Sequence, residues 1–270
     1  MDVAEAAGRL TLLGCGKMGG AMLEGWLAAG LAPERVTVID PAPGERLQAL
    51  ARDGLVLNPE TPERPDVLVL AVMPQMMAYA APAVAGFGGA GTLVISIAAG
   101  TPLSRFEAIF GAAAPVVRAM PNTPAAVGRG ASAIVANEAA GADGLDRAEA
   151  LLSVVGTVVR LDAETQMDAV TALSGSGPAY VFHLIEALAA AGEAEGLAPD
   201  LAERLARATV TGAGALADAS AEDAATLRTN VTSPSGTTAA GLDVLRAELG
   251  DLMRRTVAAA AERSRALGRD

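Results

Sequence analysis

Gly14-Cys15-Gly16-Lys17-Met18-Gly19 is the stretch of this chain whose spacing most directly implies chemistry. It follows the apolar run Leu10–Leu13 and opens a helical stretch through Trp26, so G-x-G-x-x-G stands between strand and helix. The first glycine permits a tight turn. The second lets backbone approach a pyrophosphate, and the third lets helix and strand pack closely. The helix start adds N–H donors and a positive dipole, and the pattern predicts dinucleotide binding. A second apolar run ends at Ile39-Asp40. Asp40 lies about 20 residues beyond the loop, where an acid accepts hydrogen bonds from the adenosine ribose and favours NADH over NADPH. The alternative is that Asp40 before Pro41 merely starts a turn. The nearest basic residue downstream is Arg46, so the choice between NADPH and NADH stays open.

The elements that must position this loop fall into two halves. Short apolar runs at Leu10–Leu13, Val36–Ile39, Val67–Val72, Leu93–Ile97, Val116–Met120, Ser132–Val135 and Val158–Leu161 read as strands, separated by helical stretches such as Lys17–Ala29 and Ala42–Arg52. That alternation predicts an α/β fold with a mostly parallel, Rossmann-type sheet. Beyond Glu164 the strand signal stops. Ala163–Leu173, Pro178–Glu195, Pro199–Ala217, Ala221–Asn230, Thr237–Glu248 and Asp251–Leu267 read as helices, punctuated by Gly, Ser and Pro clusters. The expected division is a dinucleotide-binding domain at 1–162 and an all-helical domain at 163–270.

Composition narrows the function. A net charge of −11 with no basic run excludes a phosphate-backbone partner. No apolar stretch is long and charge-free enough to span a membrane. The single cysteine allows no internal disulfide, and acids near Met1 do not suit a signal peptide; a soluble, cytoplasmic protein is expected. Aromatics are only 3%, which suits helices packed through small side chains and a helical half buried between subunits. With one His and one Cys, no metal site is expected.

Lys17 is the only lysine and His183 the only histidine. Reduction of a ketone requires a proton for the developing alkoxide, commonly from His, Lys or Tyr. Lys17 belongs to the glycine loop, and His183 sits in an apolar helical stretch that reads as core or interface. The shortage points to a substrate that brings its own proton, such as a protonated imine.

Four loops could complete a site. Ala71-Val72-Met73-Pro74-Gln75 and Met120-Pro121-Asn122-Thr123-Pro124 each follow a strand, at the edge where ligands bind in such sheets. Asn230 to Thr238 is dense in hydroxyls ahead of a helix, which reads either as a carboxylate cradle or as an ordinary capped turn. Ser174-Gly175-Ser176-Gly177-Pro178 is a turn with Pro opening a helix.

Taken together, GCGKMGGAM, LAVMPQ, ISIAAG, RAMPNTPA, LSGSGPAYVF and NVTSPSGTTAAGL resemble the pyrroline-5-carboxylate reductase family over nearly the whole chain. The last two segments, in this order after a Rossmann half, are far more specific than the glycine loop. The resemblance implies reduction of 1-pyrroline-5-carboxylate to L-proline with NADPH or NADH, the last step of proline biosynthesis. It also implies a homodimer through the helical domain and a decamer of five dimers. By the same resemblance Gly14, Gly16, Lys17, Met18 and Gly19 would bind the pyrophosphate. Asn58 would lie near the adenosine ribose, and Ala71, Met73 and Pro74 would border the nicotinamide. Met120, Pro121 and Asn122 would line the pocket. Ser233, Gly236, Thr237 and Thr238 would hold the substrate carboxylate, with the Thr238 hydroxyl near the ring nitrogen as the catalytic group. The chain departs from the family pattern at Met73 (usually Lys), Ser235 (usually Gly), Thr229 (usually Asp) and Asp40, where NADPH users carry a small polar or basic group.

Rival readings are a β-hydroxyacid dehydrogenase, a nicotinamide redox sensor and a methyltransferase. The first uses a catalytic lysine that this chain lacks. The second predicts dinucleotide binding without turnover. The third finds no accompanying motif in the helical half.

Overall fold

The computed structural model describes residues 1–89 and 91–268. The elements run α1 (Val3–Ala7), β1 (Leu10–Leu13), α2 (Lys17–Ala28), β2 (Val36–Ile39), α3 (Glu45–Arg52), β3 (Val56–Leu57), β4 (Val67–Leu70), α4 (Met77–Ala80), β5 (Leu93–Ser96), α5 (Leu103–Phe110), β6 (Val116–Met120), β7 (Gly130–Ala136), α6 (Gly141–Leu152) and β8 (Gly156–Arg160). Then come α7 (Met167–Val170), α8 (Gly177–Ala194), α9 (Pro199–Ala219), α10 (Ala224–Asn230) and α11 (Thr237–Leu267). Contacts divide the chain into a first unit, Met1–Gly175 with the chain from Ala260 onward, and a second, Ser176–Ala259.

The first unit is built on one sheet in the order β3-β2-β1-β4-β5-β6-β7-β8. Every pairing is parallel except β6 with β7. β1, β4 and β5 are buried along their whole length, as central strands covered on both faces must be, which is why they read as largely apolar runs. Alternate residues serve opposite faces. Leu12, Val67 and Val69 join a core with α2 and α6, while Leu13, Leu68 and Leu70 join a second core with α4 and α5. Trp26 on α2 is fully buried and donates its indole N–H to the Leu151 carbonyl at 2.7 Å. That bond satisfies the one polar atom the residue brings inside.

The chain runs outward from β1 to β2 and β3, then returns to place β4 on the other side of β1. The reversal puts the carboxyl ends of β1 and β4 side by side at a topological switch point, where ligands bind in open α/β sheets. The glycine loop and Ala71–Pro74 follow those two ends.

Several expectations are corrected. β3 is a two-residue strand, too short for a periodicity signal. The expected helix at Ala163–Leu173 is a 3₁₀ turn at Glu164–Gln166, then α7, then a π-turn at Thr171–Gly175. The expected helices at Thr237–Glu248 and Asp251–Leu267 are one, α11. Gly250 costs such a helix only about 1 kcal/mol relative to Ala, too little to stop 31 residues.

The second unit contains α8, α9, α10 and most of α11. α8 and α9 pack against each other across a short connection, and an added Cβ at Gly192 would meet Leu197 at 3.2 Å and Ala202 at 3.4 Å. Phe182, Leu184, Leu188, Leu205, Val244, Leu245, Leu249 and Leu252 are all exposed on this unit. Among the described residues no helix is long and apolar enough to cross a membrane.

Candidate functional site

The three glycines of the loop have three different reasons to lack a side chain. Gly14 takes φ +86°, and an added Cβ would lie 2.9 Å from the Ala71 carbonyl oxygen. A Cβ on Gly19 would lie 2.4 Å from the Gly14 carbonyl oxygen. Both positions are therefore fixed by packing between β1, β4 and α2. Gly16 is different: its φ is −69° and an added Cβ would meet nothing within 4 Å. Protein packing leaves the space in front of Gly16 clear, as close approach of a pyrophosphate requires. Gly16 is the N-cap of α2, and no side chain caps that end. The first-turn N–H groups of Lys17 and Met18 have no partner within the helix, the condition under which a helix start can donate to an anion. These residues fit a dinucleotide.

The Asp40 carboxylate is tied into the same loop. One oxygen accepts from the Cys15 N–H at 2.6 Å and the other from the Ala42 N–H at 2.8 Å. Its own backbone is held by Asn58, whose side-chain amide accepts from the Asp40 N–H and donates to the Asp40 carbonyl, both at 2.8 Å. Asn58 sits in the left-handed region at φ +47°, a conformation Asn tolerates better than most residues. The turn reading of Asp40 is seen in the bond from Ala42, and the same carboxylate stands beside the glycine loop.

Burial pushes the Cys15 thiol up from its ordinary 9.0 to about 11, with the carboxylates of Asp40 and Glu24 adding to the effect. A raised pKa keeps the thiol protonated, and the thiolate is the nucleophile. Alkylation of Cys15 at mildly alkaline pH is therefore expected to run about a hundredfold slower than for an unstructured cysteine, two pKa units at tenfold each. Iodoacetamide labelling followed by mass spectrometry measures this, and labelling at the free-thiol rate would place Cys15 in a more open setting.

Ala71 donates its N–H to the Leu13 carbonyl at 2.8 Å, which binds the end of β4 to the end of β1. Met73 and Pro74 follow on the surface, with Met73 68% exposed at the rim of the switch point. At the end of β6, Met120 and Asn122 are half-buried and Pro121 is buried. Arg118, two residues earlier, is buried and donates to Glu164 at 2.7 Å, and the same Glu164 oxygen accepts from the Leu103 N–H at 2.8 Å. This carboxylate fastens β6 to the start of α5.

In the second unit, Ser233, Thr237 and Thr238 are exposed and Gly236 is half-buried. Gly236 donates its N–H to the Ser233 carbonyl at 3.1 Å and closes a turn directly ahead of α11. Ser235 stands at φ +57°, the reason a glycine suits this position. Thr229 and Thr232 spend their hydroxyls on carbonyls four residues back. Ser233, Thr237 and Thr238 form no such bond among the described residues, which leaves three hydroxyls and the first N–H groups of α11 available to an anion. His183 is not a core residue: its side chain is 82% exposed on α8, 3.1 Å from Glu186.

A family model described as pyrroline-5-carboxylate reductase dimerisation matches residues 164–267, and one described as NADP oxidoreductase, coenzyme F420-dependent, matches residues 9–100. The pyrroline-5-carboxylate reductase of Pseudomonas aeruginosa is 40% identical over 260 residues, 95% of each chain. That of Synechocystis is 42% identical over 268 residues, 97% of this chain and 98% of the other. The chain belongs to the pyrroline-5-carboxylate reductase family. Among solved structures, a family member from Coxiella burnetii superposes with a TM-score of 0.89 at 35% identity, covering 96% of this chain and 98% of the other. The Plasmodium falciparum pyrroline carboxylate reductase with NADP bound gives 0.80 at 29% identity over the same shares. Against this family, the amide bonds of Asn58 to Asp40 and the pairing of buried Arg118 with half-buried Glu164 are features that spacing alone did not reveal. Their partners lie 18 and 46 residues away in sequence.

Proposed function

We propose that this chain reduces 1-pyrroline-5-carboxylate to L-proline with NADH preferred over NADPH, as a cytoplasmic homodimer joined through its helical unit. The reaction follows from family membership over nearly the full length, and that relationship is the observation that carries it. The glycine loop and the first turn of α2 hold the dinucleotide, which when bound supplies a hydride. Ala71, Met73 and Pro74 border its nicotinamide end, and Met120, Pro121 and Asn122 form a wall of the pocket. Ser233, Gly236, Thr237 and Thr238 hold the substrate carboxylate, and the Thr238 hydroxyl meets the ring nitrogen. The protonated imine takes hydride at its C=N carbon. The nitrogen already carries its proton, so no Lys or His is needed to deliver one.

Two observations support the finer points. The Cys15 and Ala42 N–H groups could hold a 2′-phosphate, yet the Asp40 carboxylate already fills them, and its charge repels a second anion. Phe182, Leu184, Leu188 and Leu245 of the second unit are large apolar side chains left 42–58% exposed in the single chain, as residues that meet a second copy would be. Five such dimers in a ring would complete the decamer.

The test is turnover of 1-pyrroline-5-carboxylate with NADH and NADPH in parallel, read as loss of the reduced-nicotinamide absorbance with proline identified as product. Binding of dinucleotide without turnover would sink the reaction. Asp40→Ser is expected to raise the NADPH-to-NADH preference by about 1–2 kcal/mol, roughly 5- to 30-fold in kcat/KM. An unchanged ratio would leave Asp40 as a turn residue only. Thr238→Ala is expected to lower kcat/KM for the imine by roughly 10- to 200-fold, the loss of a hydrogen bond to a charged group, with the NADH Kd unchanged. Equal kcat/KM would remove Thr238 from the site.

A further inference from the structure

Proline at position 178 creates a problem four residues earlier. In a helix the Ser174 carbonyl would accept from the N–H of residue 178, and Pro178 has none. The chain there is wound as the π-turn Thr171–Gly175, a local irregularity common at functional sites. The missing donor comes from a distant loop. Asn122, at the end of β6, donates its side-chain N–H to the Ser174 carbonyl at 3.1 Å, with the Ser174 hydroxyl at 3.4 Å. The oxygen of the same amide accepts from the Ala131 N–H of β7 at 2.8 Å. A flipped amide would set donor against donor and acceptor against acceptor, so its orientation is fixed. One side chain therefore fastens the end of β6, the start of β7 and the π-turn together.

The fastening presses Gly175 onto Met120: a Cβ on Gly175 would lie 2.6 Å from the Met120 methyl carbon. We propose that Asn122 is a positioning residue for the imine pocket, acting by clamping the π-turn so that Gly175 seats Met120, and not by touching the substrate. This rests on the reading of Met120 as pocket wall in the proposed function. It assigns Asn122 a different part from that of a lining residue, because both ends of its amide are committed to protein.

The decisive variant is Asn122→Asp, which keeps the acceptor for Ala131. Ionised, it has no proton for the Ser174 carbonyl; protonated, it regains one. Its kcat/KM for 1-pyrroline-5-carboxylate, relative to the parent enzyme at the same pH, is expected to rise by about tenfold as pH falls through its carboxyl pKa, itself raised by facing a carbonyl oxygen. A ratio flat with pH would overturn the clamp. Asn122→Ala and Gly175→Ala should both raise KM for the imine by at least about tenfold and leave the NADH Kd within about twofold, since neither touches the glycine loop. An unchanged KM in both would overturn the proposal, as would an equal loss of NADH binding. Hydrogen exchange of Thr171–Gly175 is expected to quicken in Asn122→Ala. That readout needs no turnover, so it tests the clamp even if the parent protein fails to reduce the imine, in which case the assigned reaction falls separately.

Discussion

Gly19→Ala is expected to abolish useful dinucleotide binding, weakening the Kd by at least about a hundredfold, or about 2.7 kcal/mol. The added methyl lies 2.4 Å from the Gly14 carbonyl oxygen and 3.2 Å from the Ala71 side chain. Relief by movement is blocked, because the obstructing atom is backbone and Gly14 is itself wedged against the Ala71 carbonyl and Val72. The start of α2 must back away from β1, carrying with it the N–H groups proposed to meet the pyrophosphate. Overpacking of this kind also costs stability, about 1–3 kcal/mol. Gly20→Ala is the control: its Cβ would meet the Cys15 carbonyl oxygen only at 3.9 Å, an ordinary contact. Isothermal titration of both variants with NADH separates the two cases. Parent-like binding in Gly19→Ala would mean that this loop does not hold the dinucleotide.

Phe182→Glu is expected to convert the dimer to monomer at micromolar concentration. Phe182 is 58% exposed and lines the groove between α8 and α9 together with Ile185, Ala189 and Pro199. A carboxylate there would have to leave water on joining a second apolar surface, at a cost of several kcal/mol, and the cation lining the groove, Arg207, is already paired with Glu203 at 2.9 Å. In a twofold interface the same patch serves both subunits, so the penalty applies twice. Glu186, Glu193 and Glu203 already line the groove and add repulsion. Light scattering coupled to size exclusion measures the outcome. A variant that stays dimeric would place the interface on other faces of the helical unit.

Much of the fold was legible in the chain. Largely apolar runs, broken only by Thr11 in β1 and Ser96 in β5, marked β1, β4 and β5 because a central parallel strand is buried on both faces. Helical periodicity beyond Glu164, with Pro and Gly at the breaks, marked α8, α9 and α10. The glycine loop was visible because its chemistry is local: turn, cap and donors all come from six consecutive residues. Gly250 misled, since a local helix penalty of about 1 kcal/mol is small beside the propagation of α11 on both sides of it.

What remained for the tertiary structure was every choice made by contact between distant residues. Sequence allowed Asp40 to be a ribose ligand or a turn former; only the approach of β2 to the glycine loop sets its carboxylate on the Cys15 N–H. The LSGSGP segment read as an ordinary turn, and nothing local announced that Asn122 would supply the donor Pro178 lacks. His183 read as a core or interface residue because its neighbours in sequence are apolar; its side chain points outward beside Glu186, which removes the core reading and keeps the interface one. The sequence by itself determined the central strands, most of the long helices and the place of the glycine loop, because propensity, burial pattern and turn chemistry act over a few residues. Tertiary structure alone decided which polar group meets which, because a hydrogen bond spanning 52 residues depends on the sheet order that brings its ends together.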